Sequence, residues 1–363
     1  MSRKGKKKKI LKILVVIILC LVLAALFLFK TQTGRRILYR LAAHVIHTQV
    51  QKTKDMDQNK DTKAVNTKPQ PKDAKLADIG SGQYPVRKDK HVLNFLLIGI
   101  EEIGGARNTD SMMIASLNTE KKTIKLTSLM RDSYVDIPGY RRNKLNSSYG
   151  RGGIKLLVDT IEKNYKISLN GYASVNFDDF DKMIDLLGGV KIKLTRVEAN
   201  YLNTTNYISN PRYRHVVEGV NLLNGNQALG YCRVRHVPTL GNVPDDYGRT
   251  LRQRRVLNKI FEKFKSYNAL KQIKIADQGL NYITTDLSED TIALLIEEVM
   301  ENKISKIHQY RLPVEGAFTS PKIYEGITYP LVYDWNKNIE KLFMFLYGDT
   351  QAEAQQHLVE LQQ

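Results

Sequence analysis

The chain has 363 residues, of which 42% are hydrophobic and 26% are charged, and its formal net charge is +19. This composition indicates a globular protein, and two cysteines are too few for a domain held together by disulfides. The excess of positive charge favours an anionic partner: phosphate groups, nucleic acid or an acidic polymer.

The first thirty residues predict a membrane anchor. Residues 1–9 contain a lysine cluster, and residues 10–29 are almost wholly apolar, interrupted by Lys12. About 20 apolar residues cross a bilayer as a helix, and a basic flank stays on the cytoplasmic side. A cleaved signal peptide is the alternative, but no good small-x-small site precedes the polar region. We therefore predict an uncleaved single-pass anchor that places the rest of the chain outside the cell.

Residues 30–90 are predicted to be a juxtamembrane segment followed by a flexible linker. Residues 34–50 are weakly amphipathic, and their sequence leaves open whether they lie on the membrane surface or begin the folded domain. From residue 51 onward the linker is rich in Lys, Asp and Gln and nearly empty of large apolar side chains, which is typical of a spacer.

Residues 91–350 alternate between strand-like and helix-like patterns. Strands are predicted over residues 92–99, 111–117, 122–129, 172–177, 190–194 and 306–313. Helices are predicted over residues 153–165, 178–187 and 288–302, with a long one ending near 267 and a last one from Asp334. This alternation predicts one layered α/β domain with a central sheet, followed by a C-terminal tail of residues 351–363.

Acidic residues near the first two strands form a candidate metal site. The first strand is predicted to end at Gly99, so that Glu101 and Glu102 lie in a Gly-rich loop and Asp110 stands just before the next strand. Acidic residues at the ends of neighbouring strands can converge on a hard cation through their oxygens. The alternative is that both positions are carboxylates of surface loops.

Six arginines occur in the 27 residues from Leu229 to Arg255, which makes this segment a candidate anion site. Gly230–His236 is predicted to be a short strand, in which Arg233 and Arg235 share one face with Tyr231. Arginine pairs of this kind bind phosphate oxygens well. The alternative is a solvated basic surface.

A helix is predicted to follow the proline- and glycine-containing loop, with Asp245 or Asp246 as its cap. Its apolar stripe begins at Leu257. Gln253 and Arg249 lie four and eight residues before Leu257, on the same side of the helix, and we therefore expect them to face inward. Arg254 and Arg255 are predicted to lie off this apolar stripe. An arginine pair on a strand and an inward Arg and Gln at a helix start predict an anion pocket.

A further basic segment begins at Arg131 and Asp132, which lie at the end of a predicted strand. The loop that follows contains Arg141, Arg142 and Lys144. The sequence has no Walker lysine loop, no zinc-ligand spacing, no G-x-S-x-G elbow and no Cys/His pair. Cations and carboxylates without a strong nucleophile suit phosphoryl transfer, in which the protein positions groups and neutralises charge.

Seven sequence blocks, in order, closely resemble the LytR-CpsA-Psr family. They are NFLLIGIE, NTDSMMIASLN, LTSLMRDSYVDIPG, NKLNSSYGRGG, DLLGGVKI, LNGNQALGYCRVRH and DYGRTLRQRRVL, within residues 91–265. The resemblance implies a three-layer α/β/α sandwich with a central mixed sheet, outside the membrane of a Gram-positive cell. It also implies a phosphotransferase that moves a teichoic acid or capsular polysaccharide from undecaprenyl pyrophosphate to peptidoglycan with Mg²⁺, forming a phosphodiester.

The resemblance also assigns roles to individual residues. The catalytic residues it implies are Asp110, Arg131 and Glu101, of which Asp110 and Glu101 would also hold the metal. The pyrophosphate-binding residues it implies are Arg233, Arg235, Arg249, Gln253, Lys144 and Arg107. Two positions depart from the family pattern: Glu101 stands where Asp is usual, and Asn108 stands where Arg is favoured, with Arg107 one step out of register.

Two other functions remain open at this stage. A polyprenyl-pyrophosphate hydrolase would use water in place of the sugar hydroxyl. A non-catalytic regulator would hold the lipid phosphate or attenuate transcription. Nucleic acid is not expected as a partner, because the lysine-flanked anchor puts the basic domain outside the cytoplasm. A covalent enzyme intermediate is disfavoured, because no activated nucleophile is visible.

Overall fold

The structure is a computed structural model that describes residues 31–57, 79–103, 106–301, 304 and 306–362. The predicted cytoplasmic tail and the predicted anchor over residues 10–29 lie outside the described residues. Within the described part of the chain, no helix combines the length and the apolar sequence needed to cross a membrane.

Strands and helices alternate along the described chain. The strands are β1 (Val92–Ile103), β2 (Ala106–Asn118), β3 (Thr123–Leu129), β4 (Tyr134–Val135), β5 (Asn143–Lys144), β6 (Gly171–Asn176), β7 (Val190–Leu194), β8 (Gly219–Leu223), β9 (Thr284–Thr285), β10 (Ile307–Leu312), β11 (Phe318–Thr319), β12 (Ile323–Tyr324), β13 (Ile327–Thr328) and β14 (Val332–Tyr333). The helices are α1 (Gln32–Asp57), α2 (Asn146–Tyr165), α3 (Phe177–Leu186), α4 (Arg196–Thr204), α5 (Gly225–Arg233), α6 (Asp245–Lys265), α7 (Ala269–Gly279), α8 (Glu289–Glu301), α9 (Trp335–Tyr347) and α10 (Gln351–Glu360).

A six-stranded sheet with the order β10-β3-β2-β1-β6-β9 forms the centre of the fold. The strands β1, β2 and β3 run antiparallel to their neighbours in the meander, whereas β6 pairs with β1 and β10 pairs with β3 in parallel. The sheet is therefore mixed. The protein has the α/β fold with a central mixed sheet that the sequence predicts.

The β1–β2 hairpin is longer than its apolar residues suggest. The predicted strand end at Gly99 is wrong, because β1 continues through Glu101, and β2 already includes Asp110. Backbone pairing in an antiparallel hairpin does not require apolar side chains, so the ladder extends past the buried part. The register shifts after Gly99, which faces Ser111, and this shift leaves Asp110 as the extra residue of a β-bulge. Bulges re-aim side chains next to functional sites.

Two hydrophobic cores hold these elements together. The larger core packs one face of the sheet against α2, α9 and α10, with Leu96, Ile114 and Leu157 fully buried in it. The second core lies between α3, the β7–β8 pair, α5 and α6, where Ile184 and Tyr231 are fully buried. The helix α6 is thereby fixed between the second core and the central sheet.

Segments at both ends pack against the domain. The helix α1 lies against α8, where Arg35 donates to Glu301 at 2.6 and 2.8 Å. Within the predicted linker, the backbone N–H of Ile79 donates to the carbonyl of Leu169 at 2.9 Å. Residues of the predicted tail form α10, whose buried Leu358 belongs to the larger core.

The segment around Arg233 is a helix, so the strand predicted over Gly230–His236 is wrong. A capping box between Asn224 and Gln227 starts α5, which continues to Arg233. Alternation over seven residues does not distinguish a strand from the last turn of a helix when the capping signal lies upstream. The chain then becomes extended at Val234, which leads Arg235 back toward α6.

Candidate functional site

A cavity of about 470 Å³ opens where the β1–β2 hairpin meets α5 and α6. Its polar wall contains six of the nine residues that the sequence assigned to the site: Glu101, Asp110, Arg233, Arg235, Arg249 and Gln253. The opposite wall is mostly apolar and includes Phe177, Phe180 and Leu257. The structure thus brings the predicted acidic pair and the predicted anion pocket together in one site.

Asp110 lies at the centre of the charged wall. Its carboxylate accepts a hydrogen bond from Nη1 of Arg131 at 2.7 Å, and it stands 3.6 Å from Nη1 of Arg249. Burial alone would raise the pKa of Asp110, but Arg131, Arg249 and Arg235 outweigh the burial and lower this pKa below its ordinary value. Asp110 is consequently an anion at neutral pH.

Asp246 is a second carboxylate of the cluster, which the sequence argument did not recognise. It accepts a hydrogen bond from Nη2 of Arg249 at 3.2 Å, and it lies 3.4 Å from Nε of Arg131 and 3.9 Å from Nη1 of Arg235. The predicted capping role is wrong, because Pro244 precedes α6 and no side chain caps it. The spacing of three residues between Asp246 and Arg249 on a helix was the signal available.

Arg249 is the most enclosed cation of the cluster, with 5% of its side chain exposed. Burial lowers its pKa, although Asp246 and Asp110 counteract the effect. Its Nε is buried and has no hydrogen-bond partner in the described chain. Because the side chain of Arg249 also lines the cavity, its guanidinium can bind an additional anion there.

Glu101 and Arg233 form an ion pair on the other side of the cavity. Nη2 of Arg233 donates to Oε1 of Glu101 at 3.0 Å, and the guanidinium lies 5.0 Å from the ring centroid of Phe177. Gln253 accepts from the hydroxyl of Ser111 at 3.2 Å. The inward direction predicted for Gln253 and Arg249 is therefore confirmed, since both line the cavity.

Lys144 and Arg131 lie behind this wall. Nζ of Lys144 is 2.8 Å from Asp132, whose other oxygen is 3.5 Å from Nε of Arg131. Lys144 thus contacts the cluster through Asp132 and is not among the residues that line the cavity. The side chain of Arg107 lies outside the described residues, although its backbone pairs with Glu102 in the hairpin.

Two other arginines of α6 are buried for different reasons. Arg252 donates to Glu198 at 2.8 Å and to the carbonyls of Val234 and Val237, each at 2.9 Å. Arg254 is 7% exposed and donates to the hydroxyl of Ser128 at 2.7 Å, so the prediction that it lies off the buried side is wrong. Because α6 is covered on several sides, its apolar stripe does not define all of its buried positions.

Apolar space continues inward from the charged cavity. A second cavity of about 910 Å³ shares Leu97 and Ala173 with the first, and its wall includes Leu38 of α1 and Phe261 of α6. A third cavity of about 350 Å³ also contains Ala173 in its wall. The charged cluster therefore stands at the polar end of a long, mostly apolar space, which the sequence did not locate.

The cavity wall also contains Cys232, which is buried, and burial raises its pKa to about 12. This thiol is a poor nucleophile at neutral pH, as the sequence analysis expected. Among the described residues, no group of three or more His, Cys, Asp or Glu side chains is arranged to hold a metal ion. Asp110 and Glu101 are the two carboxylates that line the cavity.

Fold and site together define an α/β protein whose mixed sheet carries an arginine–carboxylate cluster at the mouth of an apolar cavity. The LytR_cpsA_psr family model matches residues 39–340, and the chain belongs to this family. The family predicted from the seven sequence blocks is thereby confirmed.

Individual relatives extend this comparison. The regulatory protein MsrR of Staphylococcus aureus is 33% identical over 225 residues, which are 61% of this chain and 64% of MsrR, so the chain spans less than two thirds of that relative. The polyisoprenyl-teichoic acid–peptidoglycan teichoic acid transferase TagU of Enterococcus faecalis is 31% identical over 252 residues, 67% of this chain and 76% of TagU. Bacillus subtilis TagT with bound octaprenyl pyrophosphate shares the fold, with a TM-score of 0.52 and 22% identity over 77% of this chain and 96% of that one.

Proposed function

We propose that the protein transfers an anionic glycopolymer from a polyprenyl-pyrophosphate carrier to a hydroxyl of peptidoglycan. One observation carries the proposal: the arginine cluster around Asp110 and Arg249 lies at the polar end of the apolar cavities. A polyprenyl pyrophosphate has the same two parts, an anionic head and a long hydrocarbon tail. TagU is named for a polyisoprenyl-teichoic acid, and TagT binds octaprenyl pyrophosphate in its complex, which supports this choice of ligand.

The tail of the carrier would occupy the larger apolar cavity. That cavity is about 910 Å³ and shares Leu97 and Ala173 with the charged one, so the tail can pass from one to the other. Apolar surface removed from water contributes about 25 cal/mol per Å². Binding of the tail would therefore hold the head group against the arginines.

The pyrophosphate would bind at the charged wall. Arg233, Arg235 and Arg249 line the cavity, and Arg131 reaches it through Asp110. Guanidinium groups keep their charge and bind phosphate oxygens in pairs of hydrogen bonds. Asp110, Asp246 and Glu101 form ion pairs with these guanidinium groups and so fix their positions.

The reaction would be direct attack at the sugar-proximal phosphorus. The oxygen of a peptidoglycan hydroxyl forms the new O–P bond, the bond from this phosphorus to the bridging oxygen breaks, and the lipid leaves as a monophosphate. The hydroxyl proton passes to water, because Asp110, with its lowered pKa, is a weak base. The arginines neutralise the charge that develops on the departing phosphate.

We propose that magnesium takes part in this site. Mg²⁺ in phosphate-transferring enzymes is held by one or two carboxylates together with substrate phosphates. Asp110 and Glu101 line the cavity and fit such a donor set, which the pyrophosphate would complete. The ion would neutralise charge on the phosphate oxygens.

We also propose that the protein works at the outer face of the cell membrane, held by the apolar segment of residues 10–29. Protease added to intact protoplasts should then remove the domain. A domain that is cleaved after lysis but not before would contradict this topology.

Two alternatives use the same site. A hydrolase would deliver water to the same phosphorus. A non-catalytic regulator would hold the lipid without turnover, and the relative MsrR is named a regulatory protein.

One experiment separates all three. The full chain in detergent is incubated with a lipid-pyrophosphate glycan, labelled at the sugar-proximal phosphorus, and with peptidoglycan oligomers. Transfer predicts label in a sugar–phosphate–peptidoglycan product. Label in a free sugar phosphate would indicate hydrolysis, bound but unchanged lipid would indicate a regulator, and label retained on the lipid would contradict the proposed bond cleavage.

A further inference from the structure

An exposed surface lies directly beside the arginine cluster and outside the cavity. The hairpin β12–β13 is fixed to the segment that follows Arg131, because the N–H of Leu331 donates to the carbonyl of Asp132 at 2.8 Å. The N–H of Tyr134 in turn donates to the carbonyl of Leu331 at 2.8 Å. The hairpin is therefore held beside the segment that carries Arg131 and Asp132.

Aromatic side chains on this surface are exposed to an unusual degree. Tyr329 is 59% exposed, Tyr140 is 50% exposed and Tyr324 is 37% exposed. Tyr324 packs edge-on against Tyr134 with ring centroids 5.2 Å apart, and the hydroxyl of Tyr134 donates to Glu325 at 2.7 Å. Exposed apolar groups that are held in place by neighbours, and not simply left free, mark binding surfaces.

A tight turn closes the hairpin at the same place. Glu325 has a φ of 46° and Gly326 has a φ of 79°, which are the left-handed values of a two-residue turn between the strands of a β-hairpin. Tyr329, directly after β13, also has a left-handed φ, at 49°. The turn therefore fixes the strand pair that displays Tyr324.

Cations stand among these aromatic rings. Arg141, Arg142 and Arg151 are exposed, and the guanidinium of Arg151 lies 5.2 Å from the ring centroid of Tyr140. The arginines of the cavity are each paired with carboxylates, whereas within the described chain no carboxylate forms an ion pair with these three. Their charge is available to an anionic ligand.

We propose that these residues form a polymer patch, which binds the anionic glycan that the lipid carries. The polymer patch consists of Tyr140, Arg141, Arg142, Arg151, Tyr324 and Tyr329. The tyrosine faces would pack against the apolar faces of sugar rings, and the arginines would bind phosphates or carboxylates of the polymer. Charge complementarity selects the anionic polymer over a neutral glycan as the occupant. The proposal rests on the proposed function, since that function supplies the polymer.

The first test measures binding without any transfer. Full-length protein in detergent is titrated with fluorescent glycerol-phosphate oligomers that lack lipid and pyrophosphate, and with neutral oligosaccharides of equal length. We expect the phosphate oligomer to bind in a salt-dependent manner. The double variant Arg141→Ala/Arg142→Ala should weaken it about tenfold, because two charge-assisted contacts are lost.

The matched control removes two exposed cations elsewhere. The double variant Lys191→Ala/Lys193→Ala, on the outward face of β7, should bind the phosphate oligomer like the wild type. Equal weakening in both double variants would mean that net charge, and not the polymer patch, binds the oligomer. Tighter binding of the neutral oligosaccharide, or of peptidoglycan fragments, would overturn the choice of occupant.

The second test measures how the polymer patch affects the transfer reaction. The ratio of kcat/KM for a long-polymer donor to kcat/KM for a single-sugar donor should fall about tenfold in Arg141→Ala/Arg142→Ala, by the same loss of contacts. An unchanged ratio would overturn the polymer patch while leaving the transferase intact. If the wild type transfers neither donor, the proposed function fails, and the oligomer titration still decides whether the patch binds an anionic glycan.

Discussion

Arg252 and Arg249 are one turn apart on α6, and both are buried, yet their surroundings differ in kind. Arg252 and its partner Glu198 are each 0% exposed, and all three nitrogens of the Arg252 guanidinium donate hydrogen bonds. Arg249 shares the carboxylates of Asp110 and Asp246 with other arginines, and its Nε is without a partner in the described chain. The closed pair leaves nothing for a ligand, whereas the open cluster can still accept an anion.

Because of this difference, two buried arginines of the same helix should serve different purposes, one in stability and one in function. A closed, buried ion pair leaves an uncompensated charge when one partner is removed. An open cluster of cations at a cavity can exchange its own carboxylates for the oxygens of a ligand, because several contacts are long, at 3.4–3.9 Å. We expect substitutions at Arg252 to affect folding and substitutions at Arg249 to affect activity.

The largest effect should follow from opening the closed pair. Arg252→Ala leaves Glu198 charged and fully buried, and removal of one partner of a buried pair typically costs about 3–5 kcal/mol. Urea unfolding followed by far-ultraviolet circular dichroism measures the loss. The double variant Arg252→Met/Glu198→Leu should recover much of it, because neither charge remains. A loss below about 1 kcal/mol in Arg252→Ala would show that the pair is not closed.

The next effect concerns the open cluster. Arg249→Lys keeps the positive charge but loses the planar, forked donor geometry, so transfer should slow by roughly 10²–10³-fold. Its free energy of unfolding should change far less than that of Arg252→Ala. Steady-state transfer rates and urea unfolding, measured on the same preparation, test both statements.

Arg254→Lys is the matched control for Arg249→Lys. Burial, together with the nearby Arg311 and Arg255, lowers the pKa of Arg254 to about 10, and its hydrogen bond goes to Ser128 at the sheet. The exchange should therefore alter stability and leave transfer close to the wild-type rate. Equal losses of transfer in the two lysine variants would mean that the open cluster has no special role.

Asp110→Asn should have a smaller effect on the rate, roughly 10–100-fold, as for residues that orient a metal or its ligands. The change keeps the shape of the side chain and removes the charge that Arg131 and Arg249 share. Transfer rates measured over a magnesium titration should show a weaker dependence on the ion. Full activity with the wild-type magnesium dependence would make Asp110 a purely structural residue.

The smallest effect should be on the free energy of unfolding at acidic pH. The pKa of Asp110 in the folded protein is below its ordinary value of 3.8, so its charge stabilises the fold above that pH and ceases to do so as the pH falls through the folded pKa. The stability difference between the wild type and Asp110→Asn should be constant above about pH 5 and shrink below it. Urea unfolding at several pH values tests this. A difference that stays constant down to pH 2 would contradict it.

The sequence predicted the class of fold and the six charged or amide residues that form most of the polar wall of the cavity, but some of the secondary structures assigned to them were wrong. Arg233 and Arg235 reach the predicted site although the strand proposed for them is the end of a helix, because the chain becomes extended at Val234 and leads Arg235 back to the cavity that Arg233 also lines. Asp246 and Arg254 were misjudged because α6 is enclosed by the sheet and by the second core. That enclosure depends on contacts far apart in sequence, such as the bond from Arg254 to Ser128.

The apolar cavities could be predicted from the sequence even less than the charged wall. Leu97, Ala173 and Phe261 come from three elements that are distant along the chain, and an inward residue at a cavity has the same sequence pattern as one in a core. The sequence predicted the location of Asp110 but not the backbone geometry that orients it. Its acidic neighbourhood pointed to the site, whereas the bulge that aims it depends on the register between β1 and β2.

The central claim is that the open cluster around Arg249 binds the pyrophosphate of a lipid whose tail lies in the apolar cavity. Calorimetric titration of the full-length protein with octaprenyl pyrophosphate, alongside octaprenyl monophosphate and the Arg249→Lys variant, tests it most directly. We predict that the wild type binds the pyrophosphate more tightly than the monophosphate, and that Arg249→Lys weakens pyrophosphate binding about tenfold or more. Equal affinity of the wild type and Arg249→Lys for octaprenyl pyrophosphate would contradict the claim.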